Sequence, residues 1–295
     1  MLAEQWRDLW AESRHRAHVI AVSNDVALGR PVFCLVSAAV LHRYPLYRVM
    51  PRRVHVVVAD ADRRSAPDVF RHEGSLAPTD VVEVDGILCT SPERTVHDLA
   101  RLASAEVALA CADAALGAVG GDVRHFDDDA VESLRDSLRA RASVPAVRGI
   151  RQARTLVELA DGRAQLPLES TTRLQLLRLG FRRPRLQVRV PAPEGGSYWL
   201  DIEIEEANSF YECDGEAKYL EPGLRNGRTA EEVVIDEKRR EDWVRGTTNR
   251  RVLRGGSRDA VSADALAARL SRFGVVLPQR PPHPFLPTRP LMYGI

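Results

Sequence analysis

From Leu200 to Glu205 the chain alternates strictly between apolar and acidic residues: Leu200, Asp201, Ile202, Glu203, Ile204, Glu205. A period of two fits an extended strand and not a helix, because successive strand side chains point to opposite faces. Asp201, Glu203 and Glu205 therefore belong to one face, and Leu200, Ile202 and Ile204 to the other. A second β-type run, Phe210 to Asp214, follows the short Ala207-Asn208-Ser209 connection, with Phe210, Glu212 and Asp214 on one side and Tyr211 and Cys213 on the other. Pairing the two runs as a hairpin gathers at least three carboxylates. Like charges opposed across a ladder repel unless something neutralises them. A divalent cation does this: Mg²⁺ takes one or two carboxylates, keeps waters and completes its shell with phosphate oxygens. The other solution is a solvated polar face on an amphipathic sheet.

The elements around the hairpin follow a definite order. Glu169 to Leu179 reads as a helix closed by Gly180, and Gln187 to Val190 as a short strand. After the strands Tyr198–Glu205 and Phe210–Asp214 come a charged helix over Glu231–Arg245, a last strand at Arg250–Leu253 and a closing helix over Ala260–Phe273. Helix, three strands, helix, strand, helix predicts an α/β (α+β) domain over 161–277, with a central mixed sheet flanked by helices. Residues 1–160 read as a separate mixed α/β domain. Its helices are expected over 3–22, over Ser37–Arg43 with Ser37 as cap, from Pro92, and over 106–119, 130–141 and 147–159. Its β runs are Val54–Ala59 and Val81–Cys89, the latter broken by the Asp85-Gly86 turn. A length of 295 residues suits two cores. Residues 278–295 hold six prolines and are expected to form an extended tail.

A formal net charge of +1 exerts no global pull on nucleic acid, so such binding requires basic residues gathered on one face. Of the 42 basic residues only Lys218 and Lys238 are lysines, which points first to coding bias and not to phosphate recognition. Cys34, Cys89, Cys111 and Cys213 are far apart and form no C-x-x-C pair, so neither a zinc knuckle nor a disulfide framework is expected. A reduced, cytoplasmic setting fits this usage. No leader-like segment and no run of apolar residues long enough for the bilayer is read, so a membrane role is not expected. P-loop and dinucleotide fingerprints are missing, and His42, His55, His72 and His97 read as structural.

The stretch P-L-E-S-T-T-R at 167–173, Gly180, Gln187, L-D-I at 200–202, Y-E-C-D-G-E-A-K-Y at 211–219 and D-E-K-R-R-E at 236–241 resembles one branch of the PD-(D/E)xK nuclease superfamily. That branch is the very-short-patch-repair-endonuclease-like, DUF559-type one. The resemblance implies a restriction-endonuclease-like fold, Mg²⁺ (or Mn²⁺) as cofactor and DNA as substrate. It implies Glu169 as the first-helix acid, Asp201 as central metal ligand, and Glu212 with Asp214 as the second acidic element. The superfamily's usual lysine, two residues after the second acid, is replaced here by Asp214, so Lys218 or Lys238 is expected to serve instead. Arg182, Arg183, Arg185, Gln187 and Lys238 are the candidate nucleic-acid contacts.

Upstream, L-V-S-A-A-V-L-H-R-Y-P-L at 35–46, R-V-H-V-V-V at 53–58 and D-G-I-L-C-T-S-P-E-R-T-V-H-D-L-A-R at 85–101 resemble the AbiEi-type antitoxin domain of type IV toxin-antitoxin systems. This implies a cognate toxin or another protein partner. The DNA-reading winged helix of such proteins is expected to be shortened or absent. The leading expectation is a Mg²⁺-dependent DNA endonuclease of defence or repair. The alternative is a non-catalytic regulator whose degenerate nuclease-like domain binds nucleic acid or a protein.

Overall fold

The computed structural model describes residues 3–25, 30–58, 67–214, 230–279 and 286. The chain separates into two compact units, Met1–Gly162 and Arg163–Leu286. The fold is mixed α/β, with ten α-helices and two mixed sheets among the described residues. None of these helices is long and apolar enough to cross a membrane.

In the first unit, the single helix expected over 3–22 is divided into α1 (Ala3–Asp8) and α2 (Ala11–Ser23). Arg14 turns back across the break, its guanidinium donating to the carbonyls of Leu9 at 3.0 Å and Arg7 at 2.8 Å. It thereby satisfies acceptors that a helix end leaves open. The next helix, α3 (Leu35–Leu41), is buried throughout and begins before Ser37. Ser37 is therefore not its cap. The Ser37 hydroxyl accepts from the His55 backbone N–H at 2.9 Å and bonds His15 Nε2 at 2.9 Å.

The sheet of this unit consists of β1 (Val32–Phe33), β2 (Val54–Val58), β3 (Val69–Glu73), β4 (Val81–Val84) and β5 (Ile87–Thr90), in the order β3-β2-β1-β5-β4. The β4–β5 hairpin turns at Asp85 (φ +50°) and Gly86 (φ +80°), the left-handed pair that a tight two-residue turn requires. Four helices follow: α4 (Pro92–Leu102), α5 (Ala105–Gly120), α6 (Asp128–Ala142) and α7 (Ile150–Leu159). Ser91 and Ser104 cap α4 and α5, each accepting a backbone N–H from the first turn. Helix α5 is apolar nearly all round and its residues are largely buried, as befits the interior of a helical layer.

The second unit contains α8 (Pro167–Arg178), β6 (Arg185–Pro191), β7 (Ser197–Ile204), β8 (Ser209–Cys213), α9 (Ala230–Thr248), β9 (Arg251–Gly255) and α10 (Ala263–Arg272). Strands β6, β7 and β8 are antiparallel, and β9 joins β8 in parallel after the crossover through α9. Leu168 and Leu176 of α8 and Leu266 and Leu270 of α10 pack with Leu186, Ile202, Ile204, Tyr211, Cys213 and Leu253 on one face. On the other, Val244 of α9 packs with Val190, Leu200, Phe210 and Val252. Of the expected tail, only residues 278, 279 and 286 are described, and Leu286 is buried.

One departure from strict alternation positions everything that follows. Leu200 was expected to share a face with Ile202 and Ile204, yet it belongs to the opposite core. Its neighbour strand does the same, with Leu186 on one face and Val188 and Val190 on the other. The exchange occurs where the β6–β7 register passes from Leu186↔Ile202 to Val188↔Leu200, that is, at Gln187 and Asp201. Gln187 has φ +49°, a left-handed conformation that reverses the sense of the pleat.

The buried histidines of the first unit set an acid limit on its stability. His55 Nδ1 and His72 Nε2 are hydrogen-bonded at 2.8 Å with rings stacked at 5.0 Å. Burial lowers His15 to about 4, and burial with the neighbouring His72 lowers His55 to about 3. Both are neutral when folded and bind protons near 6.5 when unfolded, so their contribution is present above pH 6.5 and is lost as pH falls toward 4 and 3. Thermal melting against pH is expected to show a declining midpoint below pH 6.5, with a shallower decline in His55→Asn. Identical pH slopes in the two proteins would contradict this.

Candidate acidic site

Glu169 lies in the first turn of α8, behind Pro167 at the helix start, and is 2% exposed. Its Oε2 accepts from the Gln165 N–H at 3.1 Å and from Gln187 Nε2 at 3.0 Å. The same Gln187 amide lies 3.5 Å from Asp201 Oδ1, so the residue at the pleat reversal links the helix acid to the strand acid. Asp201 Oδ2 accepts the Cys213 N–H at 2.8 Å. The β7–β8 ladder stops at Ile202↔Tyr211, and a carboxylate occupies the acceptor role that a strand carbonyl has elsewhere.

Glu212 is 6% exposed, on the sheet face that α9 covers. Burial first, and the Asp201 charge second, push its carboxyl up to about 7. Arg240 and Arg254 pull the other way without cancelling these effects. Arg240 Nη2 donates to Glu212 Oε1 at 3.1 Å and to the Trp199 carbonyl at 2.7 Å, and the guanidinium lies 5.8 Å from the Tyr198 ring centroid.

Asp214 faces Arg254 at 3.4 Å, and Arg254 also donates to Glu237 at 2.5 Å and reaches Glu241 at 3.4 Å. Among the described residues no three of His, Cys, Asp and Glu are arranged to hold a metal ion. Asp214 is engaged by Arg254, which pairs also with Glu237 and Glu241 of α9. Gln187 links Glu169 to Asp201, and the Asp201 charge is close enough to act on Glu212.

The expected cations and nucleic-acid contacts are distributed differently. Lys218 lies outside the described residues. Lys238 is exposed, because the α9 side facing the sheet carries Glu237, Arg240, Glu241 and Val244, spaced one helical turn apart. Arg240, and not Lys238, is the α9 cation that reaches Glu212. Arg182 and Arg183 are exposed, and the Arg182 backbone N–H donates to Glu206 Oε1 at 2.8 Å. Arg185 pairs with buried Glu203, which Arg250 also meets at 3.0 Å. Gln187, expected at the nucleic acid, is 5% exposed and bonded to the acids. The i, i+3, i+4, i+7 spacing from Glu237 could have singled out Arg240; nothing local marks Gln187 for a positive φ.

The chain is similar to two uncharacterized proteins of Mycobacterium tuberculosis, MT2308 of strain CDC 1551 / Oshkosh and Rv2248 of strain ATCC 25618 / H37Rv. Each is 29% identical over 225 residues, covering 72% of this chain and 78% of the relative. No family model matches the chain, and no solved structure matches it.

The raised carboxyl of Glu212 has a measurable consequence. A group that holds its proton more tightly when folded contributes stability at low pH and loses it as pH rises, here from about 4.5 through about 7. Denaturant unfolding of the wild-type protein is expected to show this falling component between pH 5 and 7, and Glu212→Gln to lack it. A component of equal size in the variant would exclude Glu212 as its source.

Proposed function

We propose that the Arg163–Leu286 unit is a divalent-metal-dependent phosphodiester hydrolase acting on DNA, with Asp201 and Glu212 as the carboxylates that hold Mg²⁺ or Mn²⁺. The observation carrying this reading is buried Glu212, whose carboxyl burial and the nearby Asp201 charge push up to about 7, with Asp201 linked through Gln187 to Glu169. Burying like charges together is costly, and proteins that retain such an arrangement commonly use it. A bound divalent ion would polarise a phosphodiester and lower the pKa of an attacking water.

The remaining roles belong to the chain itself. Gln187 fixes the orientation of Glu169 and Asp201, and the Cys213 N–H fixes the second Asp201 oxygen. Exposed Arg182, Arg183 and Lys238 are the residues for phosphate-backbone contact. The buried free cysteines agree with a reduced, cytoplasmic setting. The resemblance of the first unit to AbiEi-type antitoxins extends the proposal to a protein partner such as a cognate toxin.

A second reading has its own observation. The position of the superfamily's lysine is occupied by Asp214, which is held by Arg254. A domain without that lysine could bind nucleic acid as a regulator and leave it uncut. Nicking of supercoiled plasmid by the purified protein separates the two readings. Cleavage that depends on Mg²⁺ or Mn²⁺ and falls at least about a hundredfold in Asp201→Ala and Glu212→Ala is the expected result. Salt-sensitive binding with no metal-dependent cleavage would overturn the enzyme and leave the regulator.

A further inference from the structure

A cavity of about 340 Å³ lies in the first unit, lined by residues of α2, α3 and the turn that follows α3. That volume is at the small end of the range for small-molecule sites. Its apolar wall is formed by Val40, Tyr44 and Pro45. The wall is fixed from behind. The Tyr44 ring stacks on His42 at 5.3 Å, His42 Nε2 meets the Thr90 carbonyl at 2.8 Å, and the Pro45 carbonyl accepts from Cys111 Sγ at 3.2 Å. A wall held in this way needs little reordering to receive a ligand.

The charged lining is less complete. Arg16 pairs with Asp85 at 2.5 Å. Glu12 lines the same cavity, and one of its oxygens, Oε1, accepts the Leu46 N–H at 2.9 Å. Arg43 is exposed on the lining. Among the described residues neither Glu12 nor Arg43 forms an ion pair, with the other or with any further residue.

Arg43 is unusual in its backbone as well. It follows His42 at the end of α3 and has φ +63°, the left-handed conformation that closes many helices and is ordinarily given to glycine. An arginine is strained there where a glycine is not, and strain of this kind gathers at ligand sites. No described ion pair of Arg43 offsets it.

The balance of charge selects the ligand. Arg16 and Arg43 are opposed by Glu12 and Asp85, so the surroundings of the cavity carry no net charge and do not favour a free phosphate or other bare anion. A ligand with one charge of each sign suits both open groups. Its carboxylate meets the fork of the Arg43 guanidinium, its ammonium meets Glu12, and its body covers Val40, Tyr44 and Pro45. We propose that this cavity binds a small zwitterion, an amino acid with an apolar side chain, and that Arg43 and Glu12 read its two charges.

The test is ligand-observed NMR titration of the full chain with L-leucine, and with isocaproate and isoamylamine, which lack its ammonium and its carboxylate respectively. Wild type is expected to bind L-leucine in the millimolar range or tighter, and each analogue about tenfold more weakly, as loss of one charge-assisted contact implies. Arg43→Gly and Glu12→Gln should weaken L-leucine binding by a similar factor. Arg43→Gly should also melt higher than wild type, because glycine adopts the same backbone without strain. No L-leucine binding by wild type at millimolar concentration would overturn the proposal, as would equal binding of either analogue, a comparison that needs no variant. Full binding by Arg43→Gly, or a melting midpoint below that of wild type, would overturn the role of Arg43 and assign it to the fold.

Discussion

Glu212 is a buried acid on β8, close enough to Asp201 of β7 for that charge to act on it, at the end of the ladder between those strands. Desolvating an ionised carboxylate costs several kcal/mol even after the protein relaxes, and a second carboxylate beside it adds to the cost. The fold offsets this with backbone and amide donors on Asp201 and with an arginine on Glu212. The compensation is incomplete: Glu212 holds its proton to about 7, far above an exposed glutamate.

The neighbouring charges obey the same rule more fully. Arg254, opposite Glu212 in the parallel β8–β9 register, is shared among Asp214, Glu237 and Glu241, so α9 is fastened to the sheet by exchanged charges as well as by Val244. Glu203 is buried but enclosed by Arg185 and Arg250. Each of these acids has a cationic partner within the fold. Glu212 has one too, Arg240, but burial and the Asp201 charge outweigh it, and Gln187 links Asp201 in turn to Glu169.

Much of this was legible in the sequence because it follows from periodicity. The alternation through 200–205 and the short connection to Phe210 specify the hairpin, whose register pairs Ile202 with Tyr211 and Glu203 with Phe210. Turn chemistry is equally local, as at Asp85-Gly86. What could not be read depends on contacts between distant segments. Gln187 adopts its left-handed backbone without the glycine or asparagine that would announce it, and this moves Leu200 to the opposite core. Ser37 looks like a cap, but its hydroxyl is claimed by His15 and His55 from other elements. Asp214 shares a strand face with Glu212, yet Arg254 forty residues later decides its partner. Strands as short as β1, and β3 with its mixed composition, carry too little pattern to be recognised alone.

The same physics connects structure to chemistry. An acid pair that the protein must actively compensate is a place where an external cation gains more than it would at an exposed acidic patch, since low local polarity strengthens the attraction. Anomalous diffraction from crystals grown with Mn²⁺ tests this most directly. A peak about 2 Å from oxygens of both Asp201 and Glu212 is the predicted result. A map with no anomalous density at the two acids at saturating Mn²⁺ would contradict it.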